Sequence, residues 1–296
     1  MRRHIPFTPL HLLNSWRQSA VSVAAAAVMA VAAPSAGASS TLDKITREGK
    51  VTVAIANEVP YGYRDKSGRV TGEAPEIARI VLQDINPDID ITFVATDFGQ
   101  LIAGLEKGDF DIAAAGMFIT PPRCERVAFS NPTYVVGEAF LVKQGNPKNI
   151  TDYDSISESP DIRVGLVAGT VEYNYALVTG IPADRAPLYR NFDKAIEALR
   201  AGKVDAIGMT SLTVREIVAD DPTLESTVQF YPEVDGAVVK GYGGFAFRKE
   251  DQDLVDAFNE RLATFIGSDE HLGLVGPFGF KSDMLPDKTA TELCEG

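Results

Sequence analysis

The 296-residue chain has few of the residues on which most metalloenzymes and nucleophilic enzymes depend. It holds two cysteines, one tryptophan and three histidines, and two of those histidines, His4 and His11, stand close to the N-terminus. His271 is left alone in the body of the chain, and neither Cys124 nor Cys294 has a histidine near it in sequence. Metal-ligand clusters and Cys–His pairs therefore lack their parts, so no catalytic residue and no metal or other cofactor is expected. The phosphate-cradling pattern G-x-x-x-x-G-K-[ST] is also missing, so the chain does not read as the ATPase of a transporter. Beyond residue 38 there is no apolar run approaching the roughly 20 residues a spanning helix needs. Basic residues are scarce too: 28 Lys and Arg stand against 41 Asp and Glu, and outside residues 1–38 the balance is 25 against 41, a net charge of −16. So acidic a surface repels phosphate backbones, which makes nucleic acid an unexpected partner.

The N-terminus has the layout of a secretory signal peptide. Arg2, Arg3, His4 and Arg17 precede an Ala/Val stretch from Ala20 to Ala33, and Ala36-Gly37-Ala38 supplies small residues for cleavage. Residues 1–38 are thus expected to be removed, leaving a soluble periplasmic protein of residues 39–296. No cysteine follows the cleavage point to carry a lipid. In an oxidising compartment the pair Cys124 and Cys294 suggests one long-range disulfide; the alternative is two unpaired thiols, one buried and one in the tail.

Short β-branched runs alternate with amphipathic helical stretches, the pattern of α/β domains on mainly parallel sheets. "KVTVAIA" (50–56), "DITFVAT" (90–96) and "FDIAAAG" (110–116) read as strands, and "APEIARIVLQDI" (74–85) and "FGQLIAGLEKG" (98–108) as the helices between them. A second run of this kind follows: "DIRVGLVAG" (161–169), a helix from about Val171, "NFDKAIEALRAG" (191–202) and "KVDAIGM" (203–209). Two copies of one layout predict two similar lobes: 39–138 for the first part of lobe 1, 139–240 for lobe 2, and 241–296 for a return to lobe 1 with C-terminal helices. Chain crossings near 139–147 and 241–251 would act as a hinge, with a ligand cleft between the lobes.

The segment "GMFITPPRCERVAFSNPTY" (116–134) places Arg123 directly after a Thr-Pro-Pro turn. With "VTVAIANEVPYGYRDKSGRVTGEAPEIA", "VGLVAGTVEY" and "ALRAGKVDAIGM", it resembles, in order and over nearly all of residues 39–296, the type II periplasmic solute-binding proteins of ABC importers, in their polar amino-acid-binding family. That resemblance implies a monomer that captures a small molecule between two closing lobes and delivers it to a cognate ABC permease in the membrane. It assigns Arg123 and the Gly169-Thr170 turn to the ligand carboxylate. A guanidinium fork and the N–H groups of a helix start both suit that group. An ordinary interlobe salt bridge is the alternative use of Arg123.

Amino-acid binders of this family usually carry an Asp near the end of the later lobe 2 strand, where this chain has Thr210. A cleft lacking that carboxylate should hold a primary ammonium poorly. In its place Glu58, Tyr61, Phe98 and Phe118 stand at or just past strand ends, where the carboxyl edges of a parallel sheet converge. Aromatic faces attract diffuse cations, and Glu58 adds a counter-charge. This combination is similar to the ectoine/5-hydroxyectoine-binding members of the family, of the Ehu type, and implies a zwitterionic ligand held by Glu58, Tyr61, Phe98, Phe118, Arg123 and Thr170, with Gly116 and Thr210 completing the site. A binding protein for a polar amino acid is the alternative. Glu73 and Glu76, at a helix start, read as partners of the helix dipole rather than as a catalytic pair.

Overall fold

The structure, a computed structural model, describes residues 40–296; the expected signal peptide lies outside the described residues. The strands sort into two large sheets. In the first, Lys50–Ile55 lies between Asp90–Ala95 and Ile112–Phe118, parallel to both, and Gly241–Phe247 adds to the far side antiparallel, with Ala128–Phe129 and Tyr134–Val136 beyond it. In the second, Leu188–Tyr189, Val164–Val167 and Ala206–Thr210 run parallel, and Glu138–Lys143 then Leu224–Ser226 continue it antiparallel. Each lobe therefore has a three-stranded parallel core closed on one side by a strand of opposite direction. Those antiparallel strands include the two that carry the chain across: Glu138–Lys143 enters the second sheet, and Gly241–Phe247 returns to the first.

Helices cover both sheets for the usual reason of one apolar stripe each. Glu73–Ile85 buries Ile77, Ala78, Val81 and Leu82, and Gln252–Phe265 packs beside it with Leu254, Val255, Phe258, Leu262 and Phe265. Phe192–Arg200 does the same in the second lobe, capped by Asn191, which accepts from Lys194 N. Gly108 ends the helix before the third strand in the left-handed conformation that a glycine after a helix adopts without strain. No helix among the described residues is long and apolar enough to cross a membrane.

The C-terminal helix Ala290–Glu295 is tied to the short helix Pro121–Cys124 by a disulfide between Cys124 and Cys294, whose Cα atoms are 5.6 Å apart. The loop closed by this bond spans a sequence separation of 170 residues. Glu73 and Glu76 both stand in the first turn of Glu73–Ile85, as read from the sequence, but Glu73 has a further setting. It is buried, Thr133 donates to its carboxylate at 2.5 Å, and burial pushes its carboxyl up to about 8 against that hydrogen bond. Glu76 instead pairs with Arg69 and Arg79.

Candidate ligand-binding site

Arg123 sits on a single helical turn opened by Pro121, whose missing N–H costs nothing at that position. The turn is short enough that the guanidinium passes inward: Nη1 donates to the Phe118 carbonyl at 2.7 Å and Nη2 to the Gly169 carbonyl at 2.8 Å. The first partner belongs to its own lobe and the second to the other. Arg123 is buried, which lowers its affinity for a proton, while the carboxyl of Glu172 acts in the opposite sense. The ring of Phe98 lies 5.5 Å below the guanidinium carbon.

These groups border a small interlobe cavity. From the first lobe come Glu58, Tyr61, Phe98, Gly116, Phe118 and Arg123; from the second come Thr170 and Thr210. The structure thus brings every ligand-site residue named from the sequence to one cavity. It also adds Val171, Glu172 and Phe192, which sequence reasoning missed. Glu172 was readable only as an acid in the first turn of a helix, a place where acids are common for dipole reasons.

A chain of hydroxyls joins the lobes beside this cavity. Tyr61 donates to Thr210 Oγ1 at 2.9 Å, Thr210 to Thr213 Oγ1 at 3.0 Å, and Thr213 to Glu58 Oε1 at 2.7 Å. The path leaves the first lobe at Tyr61, passes through the second, and re-enters the first at Glu58. Thr210 also caps the helix Ser211–Asp220 by accepting from Thr213 N. The hydroxyl in the family's acidic position is therefore committed to capping and lobe closure. Thr170, the expected second carboxylate contact, lines the cavity, but its hydroxyl donates back to Val167 O at 3.0 Å.

The lobes meet at backbone distance elsewhere. Gly169 has φ of +87°, and a Cβ placed on it would come within 2.5 Å of Gly99 Cα. Arg190 and Asp97 form an ion pair across the same mouth. Gly116, at φ +63°, leaves the space that the Tyr61 ring and the Tyr134 hydroxyl fill; a Cβ there would meet Tyr61 Cδ1 at 2.5 Å. Tyr61 is braced from behind by Tyr134, at 5.1 Å between centroids, and by Phe280, at 5.7 Å.

The electrostatics are those of a closed and desolvated cleft. Burial pushes the Glu58 carboxyl up to about 8; the Thr213 hydrogen bond opposes this and the neighbouring Glu172 adds to it. Burial likewise raises Glu172, with the Arg123 charge among the opposing influences. The absence of an Asp at position 210 therefore does not leave the second lobe without a carboxylate, as the sequence implied; Glu172 arrives from the helix after the Gly169-Thr170 turn. With one guanidinium near Phe98 and carboxyls on two walls, the cavity has opposite poles, the arrangement a zwitterion needs.

The model of the bacterial extracellular solute-binding proteins, family 3, matches residues 51–274. A probable amino-acid ABC transporter periplasmic-binding protein of Sinorhizobium fredii is 37% identical over 279 residues, covering 92% of each chain. The crystal structure of EhuB in complex with hydroxyectoine superposes with a TM-score of 0.77 at 32% identity, covering 86% of this chain and 97% of that one. A probable histidine-binding protein of Campylobacter jejuni is 29% identical over 210 residues, 70% of this chain and 75% of its own length.

Proposed function

Because the chain belongs to family 3 of the bacterial extracellular solute-binding proteins, we propose that it captures ectoine and hydroxyectoine between its two lobes for import. That it is a solute-binding subunit of an ABC importer for amino acids or related solutes follows from the family and from its relatives. The proposal concerns the ligand, its contacts, the cleavage of residues 1–38 to yield a periplasmic monomer, and recognition of the closed form by a cognate ABC permease.

The observation that carries the reading is the pairing of an aromatic-lined wall with two poles in one closed cavity. Arg123 takes the ligand carboxylate with the N–H groups of its fork that remain after its bonds to Phe118 O and Gly169 O. Tyr61, Phe98 and Phe118 offer faces to a ring whose positive charge is delocalised, each contact worth roughly 0.5 to 2 kcal/mol. Glu58 supplies the counter-charge, the ligand cation offsetting the burial that raises its carboxyl in the empty cleft. Thr170 turns its hydroxyl from Val167 to the carboxylate as a second contact, and Gly116 and Thr210 complete the wall.

A polar amino acid is the second reading, favoured by the buried Glu172 carboxyl in the second lobe, which an α-ammonium could use. Isothermal titration of residues 39–296 with ectoine, hydroxyectoine, glycine betaine, proline, glutamine and arginine separates the two. Tight binding confined to the ectoines is the expected result. Tight binding of glutamine or arginine, with none of ectoine, would overturn the proposal in favour of the second reading.

A further inference from the structure

Beneath the cavity, the second lobe holds a group of buried side chains that each keep one polar atom unpaired, although the Thr170 hydroxyl and the Glu172 backbone N–H favour the charged form of the Glu172 carboxyl. Glu172 Oε2, Glu138 Oε2 and Tyr153 OH all lack a hydrogen-bond partner among those residues. Glu138 and Glu172 are 2% and 4% exposed, so bulk water does not compensate them. Glu138 lies on the strand Glu138–Lys143, directly opposite Thr210. Tyr153 is packed against Phe140, Tyr175 and Phe230, with centroids 5.0, 6.0 and 5.7 Å away. The charged and titratable groups around Glu172 are Glu138, Glu58, Tyr153, Tyr175 and Arg123. Arg123 influences it through charge alone, because the guanidinium bonds identified for it go to the Phe118 and Gly169 carbonyls.

A buried acceptor without a donor is costly, and more so when it is charged. Of the two carboxyls, Glu172 is the one that lines the cavity. We infer that Glu172 is a ligand-contacting, specificity-determining residue, whose free Oε2 accepts an N–H from the cationic part of the ligand while Glu58 accepts another from the opposite wall. Behind it, burial and then the adjacent Glu172 raise the Glu138 carboxyl well above its ordinary range.

The inference deepens the ligand assignment and rests on the zwitterion reading of the site. It narrows the ligand from any diffuse cation to one with two N–H donors pointing in different directions, as a cyclic amidinium has. A quaternary ammonium such as glycine betaine satisfies the aromatics but neither carboxylate.

The alternative role for Glu172 is that of a counter-ion for Arg123. The two roles predict opposite signs. A counter-ion competes with the ligand carboxylate for the guanidinium, so its neutralisation would tighten binding. Removing an acceptor that the ligand itself uses would weaken binding.

The test titrates ectoine into the parent protein and Glu172→Gln, with thermal melting of each as a check of folding. The expected result is ectoine affinity lower by tenfold or more in Glu172→Gln, with melting of the ligand-free protein unchanged or raised. Unchanged or tighter binding overturns the inference. If the Gln variant does not fold, Glu172→Asp keeps the charge but withdraws the oxygen. Several-fold weaker binding is then expected, and parent-like binding overturns it. A parent protein that ignores ectoine and takes another zwitterion of the panel refutes the ectoine assignment alone, and the same variants are then read with that ligand.

Discussion

The Thr213 hydroxyl of the second lobe stands 2.7 Å from Glu58 Oε1 of the first, and 2.8 Å from the carbonyl of Val59. The one hydroxyl proton serves either acceptor, so a single threonine holds the loop that carries the carboxyl pole. Thr213→Val keeps the shape and removes the donor. Titration is expected to show ligand binding weaker by about tenfold, since leaving a buried acceptor unpaired costs about 1–3 kcal/mol. The folded open form has less reason to change, so far-UV circular dichroism should match the parent.

Arg123→Ala removes the guanidinium from a desolvated site and breaks the bond to Gly169 O. A ligand carboxylate then enters a buried cleft unpaired. The expected loss is about 2–5 kcal/mol of binding free energy, read by titration. Arg123→Lys should recover part of it, because an ammonium restores the charge without the planar fork.

Gly169→Ala tests the close approach of the lobes. The added Cβ would meet the Gly99 backbone at 2.5 Å, and the position has φ of +87°, so side-chain rearrangement cannot relieve it. Weaker ligand binding and a smaller ligand-induced contraction in small-angle scattering are the expected outcomes.

The pH dependence follows from Glu58 and Glu73, both pushed up to about 8 by burial from an ordinary value of 4.5. A carboxyl raised on folding binds a proton more tightly in the folded state. Its contribution to stability is full below about 4.5 and is lost as pH climbs toward 8. Melting of the ligand-free protein should therefore fall between pH 5 and 8, by about 2–4 °C for each kcal/mol lost. Glu73→Gln, which is not among the residues that line the cavity, should flatten part of that slope and leave ligand affinity near parental.

The parts of the site that could be read in advance are those fixed by chain direction. Glu58, Phe98 and Phe118 stand at strand exits, and parallel strands bring such exits to one edge. Arg123 was legible through the resemblance of the segment 116–134 to the family, since a lone arginine after a Thr-Pro-Pro turn reads equally as a salt-bridge partner. The parts that could not be read depend on contacts between distant segments. Glu172 and Glu73 look alike in sequence to any acid opening a helix, and only packing reveals that both are buried. The commitment of Thr210 to Tyr61 joins residues 149 positions apart, and the bracing of Tyr61 by Phe280 joins two ends of the first lobe. No local pattern carries such pairs. In the sheets, the parallel strands follow from alternation of strand and helix, whereas Gly241–Phe247 lies beside Ile112–Phe118 only because the chain returns from the second lobe.

The most direct test of the central claim is diffraction from crystals of residues 39–296 grown with ectoine. Density for the ligand is expected in the interlobe cavity, its carboxylate within hydrogen-bond reach of Arg123 and its ring against Tyr61, Phe98 and Phe118. A ligand bound outside the cavity, or inside it with its carboxylate turned away from Arg123, would contradict the account.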